Sequence, residues 1–235
     1  MGPIEIFEGP YGLFESVTGP FNINWENRSL EKMLGVSVKK YIAGVHSQTA
    51  IEGVSELQAE NTIEPNEIEA IEVETYERAY FIMGGGGAGD KHDVRTRETT
   101  DHSLPYVLSA VLLDGQVMPP QYEMARILAD DVQRLLHRVT ISSKPDLTAR
   151  YPAESPVRIK ITMKDGTACT LDKSSYEGFP VSPMTWEGVR AKFAVLTEPH
   201  TSAKLRDKII DAVSRMENIS IRQLGALLGK VQETS

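Results

Sequence analysis

The spacing of apolar residues changes twice along this chain, and these changes restrict the folds available to it. Residues 2–27 contain repeated Gly-Pro pairs and show no sustained helical or strand period. From residue 29 helical and alternating segments follow one another, and after Pro183 the apolar spacing is helical throughout. This order predicts an α+β region between an irregular N-terminal strap and a C-terminal run of helices.

The predicted α+β region spans residues 29–182, with the strap at 1–28 and the C-terminal helices at 183–235. Within this region, helices are predicted at 29–34, 46–60, 104–113, 121–128 and 130–137. Antiparallel strands are predicted at 36–42, 67–75, 138–142, 157–163 and 167–171, the last two as a hairpin around Asp165-Gly166.

The composition argues against several classes of partner and site. The 25 Lys and Arg residues are outnumbered by 33 Asp and Glu, and a net charge of -8 opposes binding to nucleic acid or an anionic membrane. The single cysteine, Cys169, can form neither an internal disulfide nor a zinc site by itself. No apolar run reaches the roughly 20 residues of a membrane span, and the first ten residues lack a basic segment. We therefore expect a soluble, cytoplasmic protein.

One group of residues able to do chemistry consists of Lys39, Lys40, Tyr41 and, at the predicted start of a helix, His46. Two of them, Lys39 and His46, lie at successive element boundaries, where side chains can face a cleft and a helix start favours an anion. The alternative is structural, because a His beside an apolar stripe is often a hydrogen-bonded core residue and adjacent lysines are often only solvated.

The second group follows the glycine-rich stretch and covers residues 90–103. Here Arg95 and Arg97 can bind carboxylates, and His102 can exchange a proton near neutral pH. The alternative is a mobile charged loop in which Asp101 or Ser103 does no more than cap the next helix.

The residues of both groups together resemble characteristic strings of the MmgE/PrpD family. Residues 90–106, Asp-Lys-His-Asp-Val-Arg-Thr-Arg-Glu-Thr-Thr-Asp-His-Ser-Leu-Pro-Tyr, resemble the family's Thr-Arg-Glu-Thr-Ala-Asp-His-Ser-Leu-Pro-Tyr run. Further similar strings, in the family's order, are Gly2-Pro3 with Phe7-Glu8-Gly9, Lys39-Lys40-Tyr41, His46 to Glu52, Gly178 to Thr185, and Lys192-Phe193.

The resemblance implies an α+β lid domain inserted before the last helices of a large all-helical domain. The strap and the C-terminal helices then belong to that helical domain, most of which this sequence does not contain. The chain is accordingly expected to need an N-terminal helical domain or a companion chain, and to form homodimers. Leu224, Leu227 and Leu228 are expected to pack on another chain or to remain exposed.

The resemblance also implies an activity, the dehydration of 2-methylcitrate or a related small polycarboxylate by a hydro-lyase that uses no metal or cofactor. It assigns Lys39, His46 and His102 as catalytic, and Lys39, His46, Arg97 and His92 as substrate-binding. Removal of a proton next to a carboxylate requires cations that stabilise the developing charge and a base within reach. The chain departs from the family at His92, where Trp is common, and at Lys40, where Pro is common.

Other interpretations remain open. The chain is alternatively a non-catalytic partner subunit of a split enzyme, or part of a family decarboxylase or epimerase acting on cis-aconitate or iminodisuccinate. A truncated protein or the product of a degraded gene fits the same features, and an unrelated α+β binding protein is a third class.

Overall fold

A four-stranded sheet forms the centre of the larger of the two units into which the chain divides, residues 37–235. The strands are β1 (Ile68–Thr75), β2 (Val139–Ser143), β3 (Val157–Met163) and β4 (Ala168–Lys173). Their order is β2-β1-β3-β4, with β1 parallel to β2 and the other two pairs antiparallel. The α+β class is confirmed. The expectation of antiparallel strands is wrong for β1 and β2, which pair in parallel because a long helical connection joins them.

The computed structural model describes residues 6–9, 12–21, 31–87 and 89–231. In the smaller unit, residues 1–36, these include a π-helical turn at Phe14–Thr18 and a 3₁₀ helix at Glu31–Gly35. The ring of Phe14 meets that of Phe21 edge to face, with centroids 5.1 Å apart. The helix start predicted at Ser29 lies outside the described residues.

Ten α-helices occur among the described residues of the larger unit. They are α1 (Gln48–Glu60), α2 (Glu77–Met83), α3 (Arg97–Thr100), α4 (Leu104–Asp114), α5 (Met124–Ile127), α6 (Asp130–Leu136), α7 (Pro145–Thr148), α8 (Trp186–Thr197), α9 (Ala203–Ser214) and α10 (Ile221–Leu228). Further 3₁₀ helices lie at Val45–Ser47, Pro65–Glu67, Pro119–Tyr122, Glu198–His200 and Met216–Asn218.

The core lies on one face of the sheet, where α1 packs against β3 and β4 and α4 packs against α1 and α6. The sequence predicts one apolar stripe on α4, but every residue from Leu104 to Leu112 is buried, so the helix is enclosed on all sides. Its N-cap is Ser103, as predicted, whose Oγ accepts a hydrogen bond from the Tyr106 N–H at 3.1 Å. Each fully buried Leu or Ile side chain contributes about 1.5–3 kcal/mol to such a core.

The strand predicted at 36–42 is wrong. This segment has no strand partner among the described residues, and its backbone groups bond to loops and to a side chain instead. The N–H of Val38 donates to the Gly178 carbonyl at 2.7 Å, and that of Ile42 donates to the Val117 carbonyl at 3.1 Å. An alternating sequence forms a strand only where a second strand supplies a continuous ladder.

Two helix predictions also change in detail. Helix α1 begins at Gln48, because His46 lies in a separate 3₁₀ turn, Val45–Ser47. The helix predicted at 121–128 is divided between a 3₁₀ turn and α5, and α2 was not predicted at all. Helix α2 has only seven residues, which is too few to show a clear apolar period, and the glycine-rich stretch follows it at once.

The three C-terminal helices are confirmed, and they bury few residues. Helices α8 and α10 have no buried side chain among the described residues, whereas α9 buries Ile209 and Ala212. Ile221 is 77% exposed and Leu228 is 49% exposed. The described helices include none that is both long and apolar enough to cross a membrane.

Candidate functional site

The turn that carries His46 meets the end of β1, and the contact is made by Tyr76. The Nδ1 atom of His46 lies 2.7 Å from the Tyr76 hydroxyl, and the two rings meet edge to face. Tyr76 directly follows β1 and is 2% exposed, so its position is set by the sheet. His46 is half-buried, and its Nε2 makes no hydrogen bond with any residue that the structure describes.

Two further residues complete what we call the His46 cluster: His46, Tyr76, Tyr151 and Ser155. The Tyr151 ring stacks on that of Tyr76, with centroids 4.4 Å apart and an interplanar angle of 8°. The buried Ser155 hydroxyl lies 3.4 Å from the Tyr76 hydroxyl. Burial raises the pKa of Tyr76 far above its ordinary value, so the phenol is protonated at neutral pH.

The segment that contains His102 lies beside this cluster. The N–H of Gly44, two residues before His46, donates to the Asp101 carbonyl at 3.0 Å. The Nδ1 atom of His102 lies 2.6 Å from the Asp101 carboxylate, and its ring is half exposed. The fold thus brings together two distant segments, each of which carries a histidine selected from the sequence.

Helix α2 brings a cation, Arg78, to the same place. The helix packs against the Val45–Ser47 turn, and a Cβ at Gly44 would lie 2.7 Å from the Met83 Sδ. Arg78 is exposed, and its guanidinium makes no hydrogen bond or ion pair with the described residues. Burial, then the positive charges of Arg78 and His102, lower the pKa of His46 below 6.5, so its imidazole is neutral at neutral pH.

Substituting Arg78→Gln is expected to raise the pKa of His46, because it removes a positive charge that opposes protonation of the ring. Titration of the His46 ring by NMR measures this shift, and the wild-type midpoint is expected below 6.5. Arg134→Gln, in a polar cavity at the other end of β1, is the matched control and should leave the midpoint unchanged. Equal midpoints in wild type and Arg78→Gln would show that Arg78 does not act on His46.

The backbone of Lys39, earlier in the same loop, lies against α8. The ammonium of Lys192 donates to the Lys39 carbonyl, and burial together with the Lys39 charge lowers the pKa of Lys192. The Lys39 ammonium makes no hydrogen bond or ion pair with the His46 cluster among the described residues. Only glycine fits at position 178, where the chain approaches this loop closely. Its φ is +110°, and a Cβ there would clash with the Val38 carbonyl oxygen.

Lys40, which stands where the family commonly has Pro, is part of an ion-pair network. Its ammonium lies 2.9 Å from Glu177 and 3.4 Å from Glu52. Although burial alone lowers it, the hydrogen bond to Glu177 and the neighbouring carboxylates raise the pKa of Lys40. Lys40 therefore ties the loop to α1 and to the segment before α8, and its charge is already paired.

The structure places His92 apart from His46. Its Nε2 lies 2.9 Å from the Val139 carbonyl oxygen, and its ring stacks on His137. Val139 pairs with Ile71, five residues before Tyr76, which is roughly 16 Å along a strand. A substrate role for His92 remains a prediction, and it is separate from the His46 cluster.

Arg97 is exposed at the start of α3, next to the segment that holds His102. Burial raises the pKa of Tyr122, the Asp101 charge raises it further, and the Arg97 charge lowers it. The Tyr122 hydroxyl donates to the Ile42 carbonyl. Arg97 therefore lies near the loop that leads to His46, and its role in substrate binding remains a prediction.

The sequence interpretation missed Tyr76, Arg78, Tyr151 and Ser155, which lie outside the strings that resemble the family. The one signal available was position, because Tyr76 and Arg78 follow directly after a predicted strand. No cluster of three or more His, Cys, Asp or Glu side chains suited to a metal occurs in the part of the chain that the structure describes.

A cavity of about 540 Å³ lies elsewhere, over the outer face of the sheet. It is lined by Glu72, Glu74, Arg158, Lys160 and Asp172, which pair with one another across the strands. Such pairing is typical of a solvated sheet face, so we place the candidate site at the His46 cluster.

Part of the chain is similar to proteins of known activity. A cis-aconitate decarboxylase from Mus musculus is 28% identical over 118 residues, 50% of this chain and 24% of that protein. One from Homo sapiens is 28% identical over 120 residues, again 50% of this chain and 24% of that protein. The chain thus matches about a quarter of the length of these relatives. Residues 41–218 match the MmgE/PrpD C-terminal domain, and the chain therefore belongs to the MmgE/PrpD family.

Proposed function

We propose that the chain supplies the lid side of the active site of a lyase that dehydrates 2-methylcitrate or a related small polycarboxylate. The observation that carries this proposal is the neutral imidazole of His46, held by the buried Tyr76 hydroxyl near the cation of Arg78 and the ring of His102. This arrangement can stabilise a substrate group that develops negative charge during the reaction.

The proposed dehydration begins when a base removes the proton on the carbon next to a substrate carboxylate. The electron pair left behind is delocalised into that carboxylate, the carbon–carbon double bond then forms, and the hydroxyl on the adjacent carbon leaves as water with one added proton. Hydrogen-bond donors and cations placed at the carboxylate lower the barrier to the first step. We assign these roles to His46 and Arg78, with His102 beside them.

Lys39 is proposed to hold another carboxylate of the same substrate. Its neighbour Lys192 adds a second positive charge on the α8 side of the loop. A polycarboxylate has several carboxylates to bind, and the neighbouring cations Lys39 and Lys192 match that requirement. The base that removes the proton is proposed to come from an N-terminal helical domain, as the family resemblance implies.

A second candidate is decarboxylation, which is favoured by the names of the two relatives. In that reaction the carbon–carbon bond to a carboxylate breaks, CO₂ leaves, and the remaining electron pair takes up a proton. The same donors and cations stabilise this electron pair while it is delocalised into a neighbouring carboxylate. The residues of the His46 cluster therefore serve either reaction, and the substrate decides between them.

We also propose that the C-terminal helices pack on an N-terminal helical domain, in the same polypeptide or in a companion chain. The exposure of Ile221 and Leu228 and the lack of buried residues on α8 and α10, as far as the structure describes them, support this proposal. A non-catalytic partner subunit requires the same contact, and a homodimer of the assembled enzyme is proposed with it.

The test is an activity assay with two substrates, 2-methylcitrate and cis-aconitate. The chain is assayed by itself and again with a family N-terminal helical domain joined to it or added separately. Formation of the conjugated product reports dehydration, and release of CO₂ reports decarboxylation. Activity with the helical domain and its loss in Lys39→Ala are expected, while Lys160→Ala on the outer face of the sheet serves as the control. Inactivity of every combination on both substrates would contradict the proposal.

A further inference from the structure

A short chain of hydroxyl groups lies behind His46. The Tyr76 hydroxyl is 2.7 Å from the His46 Nδ1 and 3.4 Å from the Ser155 Oγ. Tyr76 is 2% exposed and Ser155 is 4% exposed, so both hydroxyls are shielded from water. Buried hydroxyls direct their hydrogens to acceptors, because an unsatisfied buried donor costs about 1–3 kcal/mol.

The direction of this hydrogen-bonded chain follows from counting donors and acceptors. Among the described residues, the only partner of the Ser155 hydroxyl is Tyr76. If Tyr76 donated to Ser155, the Ser155 hydrogen would have no acceptor among these residues. If Ser155 donates to Tyr76 and Tyr76 donates to His46, both hydroxyl hydrogens are satisfied.

We infer that Tyr76, supported by Ser155, is a positioning residue that holds His46 in the tautomer whose hydrogen is on Nε2. A phenol that donates to Nδ1 leaves this nitrogen as an acceptor, so the neutral ring carries its hydrogen on the other side. Since Nε2 has no partner among the described residues, the ring presents a free N–H donor. The consequence for catalysis rests on the proposed function: His46 donates to a substrate carboxylate and does not act as the base.

The test is NMR of the ring nitrogens in the full chain labelled with ¹⁵N, without substrate and at a pH where His46 is neutral. The ring is assigned by the loss of its signals in His46→Gln. Nδ1 is expected at the chemical shift of a nitrogen without hydrogen, and Nε2 at that of an N–H. Tyr76→Phe keeps the ring stacked on Tyr151 and removes one hydrogen bond, which should change the tautomer ratio by roughly two- to tenfold.

Two further variants make the result decisive. Tyr151→Phe keeps the stack and is the matched control, so its tautomer ratio should equal that of the wild type. In Ser155→Ala the hydrogen on Nε2 should also be retained, because Tyr76 still donates to Nδ1. The reverse direction of bonding would place the hydrogen on Nδ1 in wild type and move it in Ser155→Ala, which overturns the inference.

An unchanged ratio in Tyr76→Phe would also overturn it, provided that the amide spectrum shows a folded protein. Should Tyr76→Phe fail to fold, the wild type and Ser155→Ala still decide between the two directions. Because no substrate is present, this outcome is independent of the activity assay, so failure of the inference is distinguishable from failure of the proposed function.

Discussion

Replacement of His46 by alanine is expected to lower the kcat of the assembled enzyme by about 10²–10³-fold, the usual loss when one donor to a developing negative charge is removed. The effect on KM is expected to be smaller, because the hydrogen bond strengthens as charge develops in the transition state. Steady-state kinetics with 2-methylcitrate or cis-aconitate, in the presence of the helical domain, measure both constants.

His137→Ala is the matched control for this substitution. His137 is exposed and stacks on His92, away from the His46 turn, so its removal is expected to change kcat by less than a few-fold. A His46→Ala enzyme that retains kcat within the same range would exclude His46 from the stabilisation of charge, and the proposed role of the cluster with it.

Replacement of Glu52 by alanine is expected to have the largest effect on stability, lowering the free energy of unfolding by about 2–3 kcal/mol. Glu52 is 8% exposed, and its carboxylate accepts from the Glu177 N–H at 3.1 Å and lies 3.2 Å from Lys173. Breaking a fully buried ion pair costs roughly 3–5 kcal/mol, and the loss is smaller here because Lys40 and Lys173 each keep a second carboxylate. Urea unfolding at neutral pH measures this change in the free energy of unfolding.

Glu56→Ala provides the comparison one helical turn later. Glu56 lies 2.8 Å from Lys173, but its side chain is 41% exposed, so its loss is expected to cost at most about 1 kcal/mol. Glu52→Gln keeps the acceptor for the Glu177 N–H and should fall between the two alanine variants. Equal losses for Glu52→Ala and Glu56→Ala would contradict the view that the buried carboxylate joins α1 to the segment before α8.

Features that depend on neighbouring residues were accessible from the sequence. The cap of α4 by Ser103 and the hairpin around Asp165-Gly166 follow from local geometry, and both are present. The strand predicted at 36–42 is wrong because a strand depends on a distant partner. The real partners of that segment are the loops at Val117 and Gly178.

The candidate site shows the same division. His46 and His102 were selected from their sequence context, and the fold brings their segments together through Gly44 and Asp101. Tyr76 and Ser155 were not selected, because neither belongs to a motif. They meet only where the end of β1 approaches the start of β3, 79 residues apart along the chain.

The sequence by itself determined the α+β class, the family and two of the histidines beside the site, because periodicity, caps and motif strings depend on residues close together in the sequence. The tertiary structure decided the partner of His46, the approach of the Arg78 charge to His46, and the enclosure of α4 on all sides. These depend on contacts between residues far apart in the chain, which form only when the sheet and its helices pack together.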